Sequence, residues 1–465
     1  MKAKSVPSSW LERDGRRLDC NPYMSGALEA KVLLETLKAR KDRLADLTRG
    51  HKGGIYNGPQ FARNFVADRD HGVPFLGTAS MLRADLSDLP LLSKRDACSP
   101  KLSYLRIEPG MTLISCSGTV GRMAYARPDM GGIWSNQDIL KVVPDPQKIP
   151  PGYLYAYLSS KFGVPLVVGG TYGAIIQHIE PEHIANLAVP RFGKKLEQQV
   201  HELVERAAWL RVEASRGLRG VAARFDSLAD GINLSGRRET PRISEVGSSS
   251  IQRRFDAQFH DPLVRTVRER LASKEHTTIG EWCNRIFLPG IFKRIHVEDA
   301  AYGAPYYTGA TLFWLEPQPK GILSRKTTLF EQVRMEEGTV LVQAFGQEGG
   351  LTGRSVWVGR HLAGSTTTHM LVRLRAETKE DTAYLFGFLQ SDVAYRQIAS
   401  LAYGGSIPHF DETGIATVVL PLFPPSERQK LAHQVLTAVA SRDDALDAEH
   451  EARALIESAI EKGAN

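Results

Sequence analysis

Residues 153–160 read Tyr-Leu-Tyr-Ala-Tyr-Leu-Ser-Ser, and residues 384–391 read Tyr-Leu-Phe-Gly-Phe-Leu-Gln-Ser. The two phrases are 231 positions apart, and the same offset relates further pairs on both sides: Arg63 and Arg294, Gly72 and Gly303, Tyr172 and Tyr403, His178 and His409, Pro190 and Pro421. This fixed offset indicates a duplicated unit, far longer than the roughly 20–50 residues of a solenoid repeat. Each copy can bury a core of its own. We therefore predict two globular domains of one fold, related by a pseudo-twofold.

Each copy mixes strand and helix signals, so the predicted fold class is α+β, with two similar mixed α/β domains in tandem. Residues 111–115, 139–143, 339–343 and 370–374 are β-branched runs typical of strands. Residues 153–160 and 384–391 are predicted to form short amphipathic helices. Between the matched blocks, over residues 82–150 and 313–380, the ungapped register breaks down. A shared scaffold with unlike middle segments suggests two similar tasks performed on two different targets.

A long helix is predicted after each copy, over residues 195–232 and 425–465. Apolar residues recur there at spacings of mostly four and three, as a coiled-coil seam requires: Leu196, Val200, Leu203, Ala207, Leu210, Ala214, Leu218, Val221, Phe225 and Leu228, then Leu431, Val435, Ala438, Ala445, Ala452, Ile456 and Ala459. Arg442 and Glu449 interrupt the second seam. Either helix could pack only on its own domain, but their equivalent places favour an antiparallel coiled coil. At 1.5 Å per residue, each would be roughly 45 Å long.

These helices divide the chain into a predicted first domain over residues 1–194 and a second over residues 253–424. Residues 233–252 are polar and rich in Gly and Ser, which is typical of a flexible linker.

The composition is that of an ordinary globular protein, with 42% hydrophobic and 24% charged residues. The sequence has neither an apolar run long enough for a membrane span nor the hydrophobic core of a signal peptide. Cys20, Cys98, Cys116 and Cys283 lie far apart, which favours reduced thiols in a cytoplasmic protein. The net charge of +7 is compatible with a polyanionic partner but does not establish one.

Motifs for catalysis are missing, so the chain is predicted to be non-catalytic, with no metal and no cofactor of its own. Asn21-Pro22-Tyr23 falls one proline short of an amino-methyltransferase loop, and there is no nucleotide-binding P-loop. His178 and His409 lack the spacing of zinc ligands. Asp138 and Lys141 are residue types of a nuclease site, but no matching acidic cluster accompanies them.

Polar and basic residues in the predicted loops are candidates for contact with DNA. Asn and Gln can bind adenine and Arg can bind guanine through paired hydrogen bonds. Gly118 and Gly121 could expose amides toward a phosphate, although a plain hairpin turn explains them equally. The turns at 172–178 and 403–409 are shared by both copies, so if they touch nucleic acid they should position phosphates rather than read bases. A turn that only packs the following strand explains them equally. The candidates are Arg63, Ser117, Thr119, Arg122, Asn136, Gln137, Tyr172, Gln177, His178, Lys293, Arg294, Gln343, Gln347, Arg354, Thr367, His369, Tyr403, Ser406 and His409.

The arrangement of domain, long helix, domain, long helix resembles the specificity subunit of type I restriction–modification systems. The matching phrases are Ser-Gly-Thr-Val-Gly-Arg at 117–122, residues 153–160, and the Tyr-Gly…Gln-His-Ile turn at 172–179. Val189-Pro190 and the helix start at Gln198-Gln199 complete the first copy, and the second copy departs from the pattern at residues 346–350.

This resemblance implies a DNA-reading subunit in which each domain binds one half of a bipartite, asymmetric site in double-stranded DNA. The helices would set the gap and dock two adenine-N6 methyltransferase subunits, which carry S-adenosylmethionine and flip the target base. A restriction or translocase subunit is a further partner in such systems. The alternative from another class is a duplicated protein-interaction adaptor of a defence complex that touches no DNA.

Overall fold

The computed structural model describes residues 3–13, 21–169, 178–234, 243, 245–251, 254–347 and 349–464. The chain divides into two compact units, one of residues Met1–Val212 with Asp444–Asn465 and the other of residues Glu213–Asp443. The candidates Tyr172 and Gln177, half of the predicted linker and Cys20 lie outside the described residues.

The first unit contains two four-stranded sheets and a separate strand pair among its described residues. Its strands are β1 (Arg40–Arg43), β2 (Ile55–Tyr56), β3 (Phe65–Val66), β4 (Gly72–Leu76), β5 (Leu91–Ser93), β6 (Thr112–Ser115), β7 (Met123–Tyr125), β8 (Trp134–Ser135), β9 (Ile139–Val142) and β10 (Ala188–Arg191). The sheet orders are β2-β9-β6-β7, β3-β5-β4-β8 and β1-β10. Only the β4–β8 pairing among these is parallel. Its shorter helices are α1 (Ser9–Arg13), α2 (Asn21–Met24), α3 (Ala27–Thr36), α4 (Lys94–Ala97), α5 (Pro151–Leu158), α6 (Gly163–Gly169) and α7 (Pro181–Ala185).

A long helix, α8 (Lys194–Asp226), leads from the first unit into the second. The second unit then has the helices α9 (Ser248–Ile251), α10 (Pro262–Ala272), α11 (Ile279–Trp282), α12 (Gly309–Leu312), α13 (Phe330–Val333), α14 (Lys379–Leu389), α15 (Asp392–Ala399) and α16 (Glu412–Ala416). Its strands are β11 (His276–Thr278), β12 (Cys283–Phe287), β13 (His296–Val297), β14 (Gly303–Tyr307), β15 (Gly321–Ser324), β16 (Val340–Gln343), β17 (Ser355–Trp357), β18 (Thr366–Thr367), β19 (Leu371–Ala376) and β20 (Val419–Pro421). A second long helix, α17 (Pro425–Ala464), ends the chain.

The strand orders of the second unit repeat those of the first, as the sequence repeat predicts. They are β12-β19-β16-β17, β13-β15-β14-β18 and β11-β20, and β14–β18 is again the parallel pairing. The predicted strands at 111–115, 139–143, 339–343 and 370–374 are confirmed as β6, β9, β16 and β19. The chain therefore folds into two mixed α/β units of one topology.

The unmatched middle segments keep the same strands and differ in the lengths of their connections as well as in sequence. The offset between equivalent strand starts is 231 at Gly72 and Gly303, 228 at Thr112 and Val340, and 232 at Ile139 and Leu371. Small insertions and deletions in the loops thus break an ungapped comparison without changing the sheet. The divergence predicted for 82–150 and 313–380 is a divergence of loops.

The repeated phrases at 153–160 and 384–391 form α5 and α14, but the prediction that these helices are amphipathic is wrong. Residues 152–158 of α5 and 382–389 of α14 are all buried. In the first unit α5 lies between the β6–β7 pair and α8, and a Cβ placed on Gly152 would meet Val204 of α8 at 2.9 Å. A helix covered on two sides has no solvent face to mark with polar residues.

The long helices pack on each other within both units, and they also pack on α5 and α14. In the first unit Val200, Val204 and Ala208 of α8 share a core with Ala452, Ile456 and Ile460 of α17. In the second unit Leu218, Val221 and Phe225 share a core with Leu431, Val435 and Ala438. Rising residue numbers on α8 meet falling numbers on α17, so the pairing is antiparallel, as predicted.

Glu449, which interrupts the predicted seam, is buried opposite Arg211. Arg211 Nη2 donates to Glu449 Oε2 at 2.9 Å, and Arg211 Nη1 donates to Oε1. The side chains are 7% and 3% exposed. The seam therefore tolerates Glu449 because Arg211 pairs with its carboxylate through two hydrogen bonds, and a buried charge is tolerated when it is paired and hydrogen-bonded in this way. Among the described helices, none is both long and apolar enough to cross a membrane.

Candidate nucleic-acid interface

In the first unit, four segments that are far apart in sequence converge. They are the loop at 57–64, the turn between β6 and β7, the loop at 136–138 between β8 and β9, and the segment at His178. Arg63 Nη2 donates to Gln137 Oε1 at 3.2 Å, which joins the first and third segments. The Cys116 amide donates to the Asp138 carbonyl at 2.9 Å. Ser117 forms an isolated β-bridge with His178.

The second unit joins its equivalent segments through equivalent backbone bonds. The Ala344 amide donates to the Met370 carbonyl at 2.9 Å, as Cys116 does to Asp138. Phe345 forms an isolated bridge with His409, and their rings stack with centroids 4.8 Å apart. His369 lies edge-on to Phe345, at 6.0 Å between ring centroids. The equivalent of the Ser117–His178 bridge is thus kept, with Phe345 in place of Ser117 and a histidine at the other end in both units.

The turn after β6 and the longer turn after β16 close in the same way. The Gly121 amide donates to the Ser115 carbonyl at 2.9 Å, and the Gly353 amide donates to the Gln343 carbonyl at 2.8 Å. Both glycines have positive φ, 85° and 82°, where glycine is favoured. The Gly121 amide is therefore used within the hairpin, which agrees with the hairpin-turn alternative for this glycine. An arginine follows each turn, Arg122 in the first unit and Arg354 in the second.

Most candidate residues of these segments reach the surface. The exposed ones are Arg63, Thr119, Arg122, Lys293, Arg294, Gln347, Tyr403 and Ser406, and the half-buried ones are Ser117, Gln137, His178, Arg354 and His409. Gln347 Nε2 donates to the Ser406 carbonyl at 2.7 Å, so two of the exposed segments of the second unit are joined.

Four candidates are buried and support the loops from inside. Thr367 is fully buried, and its hydroxyl donates to the Tyr307 carbonyl at 3.1 Å. Gln343 Nε2 donates to the Phe345 carbonyl at 2.8 Å, and Asn136 Nδ2 donates to Asp138 Oδ2 at 3.1 Å. Burial lowers the pKa of His369, and Arg294 and Arg373 lower it further. His369 is therefore favoured in its neutral form, in which one ring nitrogen can accept a hydrogen bond.

Arg63 and Arg294 are equivalent surface cations held over aromatic rings. The Arg63 guanidinium carbon lies 5.9 Å from the Phe75 ring centroid, and that of Arg294 lies 5.7 Å from the Tyr306 ring centroid. Phe75 and Tyr306 stand at equivalent places on β4 and β14. A cation–π contact at this distance favours a guanidinium position near the ring while its nitrogens remain able to donate hydrogen bonds.

Sequence reasoning missed several residues of this region, among them Phe345 and the exposed Ile291. Ile291 is 86% exposed beside Lys293 and Arg294. The phrase Leu-Pro-Gly-Ile-Phe-Lys-Arg-Ile at 288–295, with basic and apolar residues in one turn-like run, carried a signal for it. Lys141, weighed with Asp138 as a nuclease pair, is fully buried with its amino group on backbone carbonyls. No cluster of three or more His, Cys, Asp or Glu suited to a metal occurs in the described part of the chain.

Comparison with solved structures finds loose likenesses over most of the chain. The S subunit of a type I restriction–modification system from M. genitalium shares 13% identity and a TM-score of 0.35, over 92% of this chain and 96% of that one. The HsdS subunit from Thermoanaerobacter tengcongensis shares 13% identity and a TM-score of 0.28, over 90% and 96% of the two chains. A structure described as showing complex assembly and conformational transition of the type I R-M system shares 14% identity and a TM-score of 0.28, over 92% and 97%. Protein-family models and curated proteins produced no match to the chain.

Proposed function

We propose that this chain is a sequence-specific DNA-binding protein in which each unit reads one half of a bipartite, asymmetric site in double-stranded DNA. More specifically, we assign it as the non-catalytic specificity subunit of a type I restriction–modification complex or of a related methylation-based defence complex. The observation that carries this proposal is one interface built twice, with equivalent backbone connections and with side chains that agree at some places and differ at others.

The interface positions at which the two units have the same residue suit contacts to the DNA backbone. Arg63 and Arg294 are equivalent, as are His178 and His409, and Arg122 and Arg354 follow equivalent turns. Contacts to phosphates carry no sequence information, so two domains that read different sequences can share them. The net charge of +7 agrees with a polyanionic ligand.

The places of difference suit contacts to bases. The first unit has Ser117 and Gln137 where the second has Phe345 and His369. The turn after β16 is also longer than the turn after β6, which changes how far its tip reaches. Ser117, Gln137 and Phe345 reach the surface, where their different donors, acceptors and sizes would read different base edges from the major groove. The buried His369 supports Phe345 from inside, at 6.0 Å between ring centroids. Two unlike half-sites follow from one scaffold.

The methyltransferase partners are assigned to the long helices. Trp209 of α8 is 50% exposed, although buried apolar residues surround it along the helix. Trp is among the residue types enriched at binding hot spots, and the exposure of this ring leaves it available to a partner. S-adenosylmethionine would be bound by two adenine-N6 methyltransferase subunits, and a restriction or translocase subunit would complete a restriction complex.

Replacing Trp209 with alanine should weaken methyltransferase docking while both units remain folded. We expect the dissociation constant for the methyltransferase subunit to rise at least about thirtyfold, the lower limit for a hot-spot residue. Isothermal titration of the two proteins measures this change. Leu210→Ala, at a half-buried neighbouring position, is the control for packing loss, and equal effects of the two substitutions would contradict the docking assignment.

The function is tested by mapping methylated bases in a genome that carries this gene and its methyltransferase partner. The expected result is a motif of two short, unlike sequences separated by a constant unread spacer, which disappears when the gene is deleted. DNA protection by the purified complex should cover the same two sequences. The proposal would be overturned, in favour of the protein-interaction adaptor, if the same bases were methylated with and without the gene and the purified complex bound DNA without sequence preference.

A further inference from the structure

The third residue of β9 and the third residue of β19 are both buried cations, Lys141 and Arg373. Their exposed fractions are 0% and 3%. Each pairs across the sheet with an aromatic residue, Lys141 with Tyr56 and Arg373 with Phe287. The Lys141 amino group lies 5.9 Å from the Tyr56 ring centroid, and the Arg373 guanidinium carbon lies 5.4 Å from the Phe287 ring centroid. The two copies have changed the residue type and kept a buried positive charge.

In the first unit this charge binds the loop between β8 and β9. Lys141 Nζ donates to the Ile139 carbonyl at 2.9 Å and to the Asn136 carbonyl at 3.4 Å. These carbonyls belong to the first residue of β9 and to the residue three places before it. The two bonds bracket Gln137, the half-buried residue that also accepts a hydrogen bond from Arg63.

In the second unit the guanidinium binds the same two backbone positions. Arg373 Nη1 donates to the Leu371 carbonyl at 2.6 Å, and Nη2 donates to the Thr368 carbonyl at 3.4 Å. Leu371 is the first residue of β19, and Thr368 lies three places before it. The residue bracketed here is His369, which stands where the first unit has Gln137. The equivalence therefore extends to the atoms that are bound.

A cation in this place is unfavourable for the fold itself. Neither Lys141 nor Arg373 forms an ion pair with any residue that the structure describes. Burial lowers the pKa of Lys141 to about 7 and that of Arg373 to about 9. Burial of a charge without an oppositely charged partner is costly even where carbonyls and a ring face it, and a well-packed apolar side chain in its place is often more stable. Its presence in both units indicates a role beyond packing, and the bonds to the loop carbonyls are what the two cations share.

We propose that Lys141 and Arg373 are positioning residues that hold the loops at 136–138 and 368–370 in the conformation needed to read DNA. This inference rests on the proposed function and deepens it, because it assigns one specificity-supporting residue to each unit. Neither cation touches DNA. Each acts through the residue that its two hydrogen bonds bracket, Gln137 in the first unit and His369 in the second.

The first arm of the test is hydrogen exchange on the full-length chain without DNA, with the variants Lys141→Met and Arg373→Met. Each variant should speed amide exchange at least about tenfold in its own loop and leave the other unit unchanged. Lys148→Met and Arg375→Met remove exposed or half-exposed cations of the same units and are the matched controls. Amide exchange rates equal to those of the wild type in the loops of both methionine variants would overturn the positioning role.

The second arm measures DNA binding by the assembled methyltransferase complex. Each methionine variant should lose about tenfold discrimination at its own half-site, the loss of one base contact. The slope of affinity against salt should stay at the wild-type value, because a buried cation releases no counterions from phosphate. A shallower salt slope, or equal losses at both half-sites, would overturn the proposal.

The exchanged variants Lys141→Arg and Arg373→Lys decide the question if a methionine variant fails to fold. Each places in one unit the cation that the other unit uses, so both should retain loop protection and half-site discrimination. A folded exchanged variant with a freely exchanging loop would contradict the inference. If the wild-type complex itself shows no sequence-specific binding, the proposed function fails, whereas the exchange arm still tests the loop contacts.

Discussion

Arg63 and Arg294 keep one residue type at equivalent positions of the two units. Both are exposed, both lie over an aromatic ring, and they occupy equivalent places in the two units. Gln137 and His369 occupy equivalent places too, yet they differ in chemistry and are covered to different extents. Under the proposed function, identity at the first pair suits phosphate contact and difference at the second pair suits base reading.

If Arg63 contacts a phosphate, as we propose, replacing it with alanine should remove one such contact from the first unit. We expect affinity to fall by a similar factor for all DNA sequences, and the slope of log K against log salt to become shallower by about one. Titrations of the complex with specific and unrelated DNA at several salt concentrations measure both quantities. Arg69→Ala, an exposed arginine whose Nη2 lies 3.5 Å from the Ser87 carbonyl, is the control. A loss restricted to one base pair of the site would instead assign Arg63 to base reading.

Asp226 gives the second unit a pH-dependent stability. This last residue of α8 accepts a hydrogen bond from the Val393 amide at 3.0 Å, and burial raises the pKa of its carboxyl from 3.8 to about 6. The folded state therefore holds the proton more tightly than the unfolded chain does. The stability that this proton contributes is present below pH 3.8 and is lost as pH rises through about 6.

Asp226→Asn keeps an oxygen that accepts the Val393 amide and removes the charge. Relative to wild type, the variant should gain stability between about pH 4 and pH 6, reaching about 2 kcal/mol at neutral pH. Urea unfolding monitored in the second unit at several pH values measures the difference. Asp230→Asn, at an exposed position, is the control, and a pH-independent difference for the Asp226 variant would contradict the assignment.

In the long helices, a charged residue in the apolar seam of one helix is paired by a charged residue of the other helix. The seam on α17 is interrupted at Glu449, and the partner that makes this interruption tolerable, Arg211, lies on α8. Periodicity identifies the apolar positions of each helix separately. It does not reveal which charge on the second helix will meet a charge on the first, because that depends on the register between them.

Breaking this ion pair from one side should destabilise the helix pairing. Arg211→Met leaves the Glu449 carboxylate buried without its partner, and we expect a loss of about 3–5 kcal/mol in the free energy of unfolding. The double variant Arg211→Met, Glu449→Leu should recover most of that loss. Urea denaturation of the three proteins gives the comparison, with the exposed pair Glu213 and Arg216 as the control. A double variant as unstable as the single one would show that packing, and not charge, is at fault.

At the scale of the whole molecule, the two units use one topology with two kinds of variation. Strand orders and the convergent loop contacts are kept, loop lengths change, and side chains at the loop tips change. Both transitions between the units fall inside long helices, at Val212–Glu213 and Asp443–Asp444. The helices are therefore the elements by which we expect the spacing of the two half-sites to be set.

Inserting seven residues into α8 after Val212 and seven into α17 after Asp443 should alter that spacing. Each insertion lengthens its helix by about 10 Å, close to three base pairs of DNA. We expect the preferred spacer to grow by about three base pairs while both half-site sequences stay the same. Selection from a DNA library with randomised spacer lengths measures the preference. The same insertion within residues 233–252 is the control, and an unchanged spacer in the helix variant would contradict the role of the helices.

The sequence by itself determined the duplication, the fold class and the two long helices, because these depend on patterns within one segment or on comparison of the chain with itself. Tyr153 and Tyr384, which open the repeated phrase, both donate from their hydroxyls to a proline carbonyl, Pro190 and Pro421, at 2.5 and 2.7 Å. Both ends of these two contacts obey the 231-residue offset. The sequence repeat therefore shows both residues of such a contact as matched pairs.

The tertiary structure alone decided which loops meet, which candidates are covered, and what the buried cations bind. Thr367 and Asn136 belong to polar runs that look exposed in sequence, yet sheet pairing and neighbouring loops enclose them. Lys141 and Arg373 are separated by 232 residues and differ in type, so the ungapped repeat does not align them. They are equivalent because both bind backbone carbonyls at the same two positions. Every residue has a backbone carbonyl, so the sequence does not mark the ones that are bound.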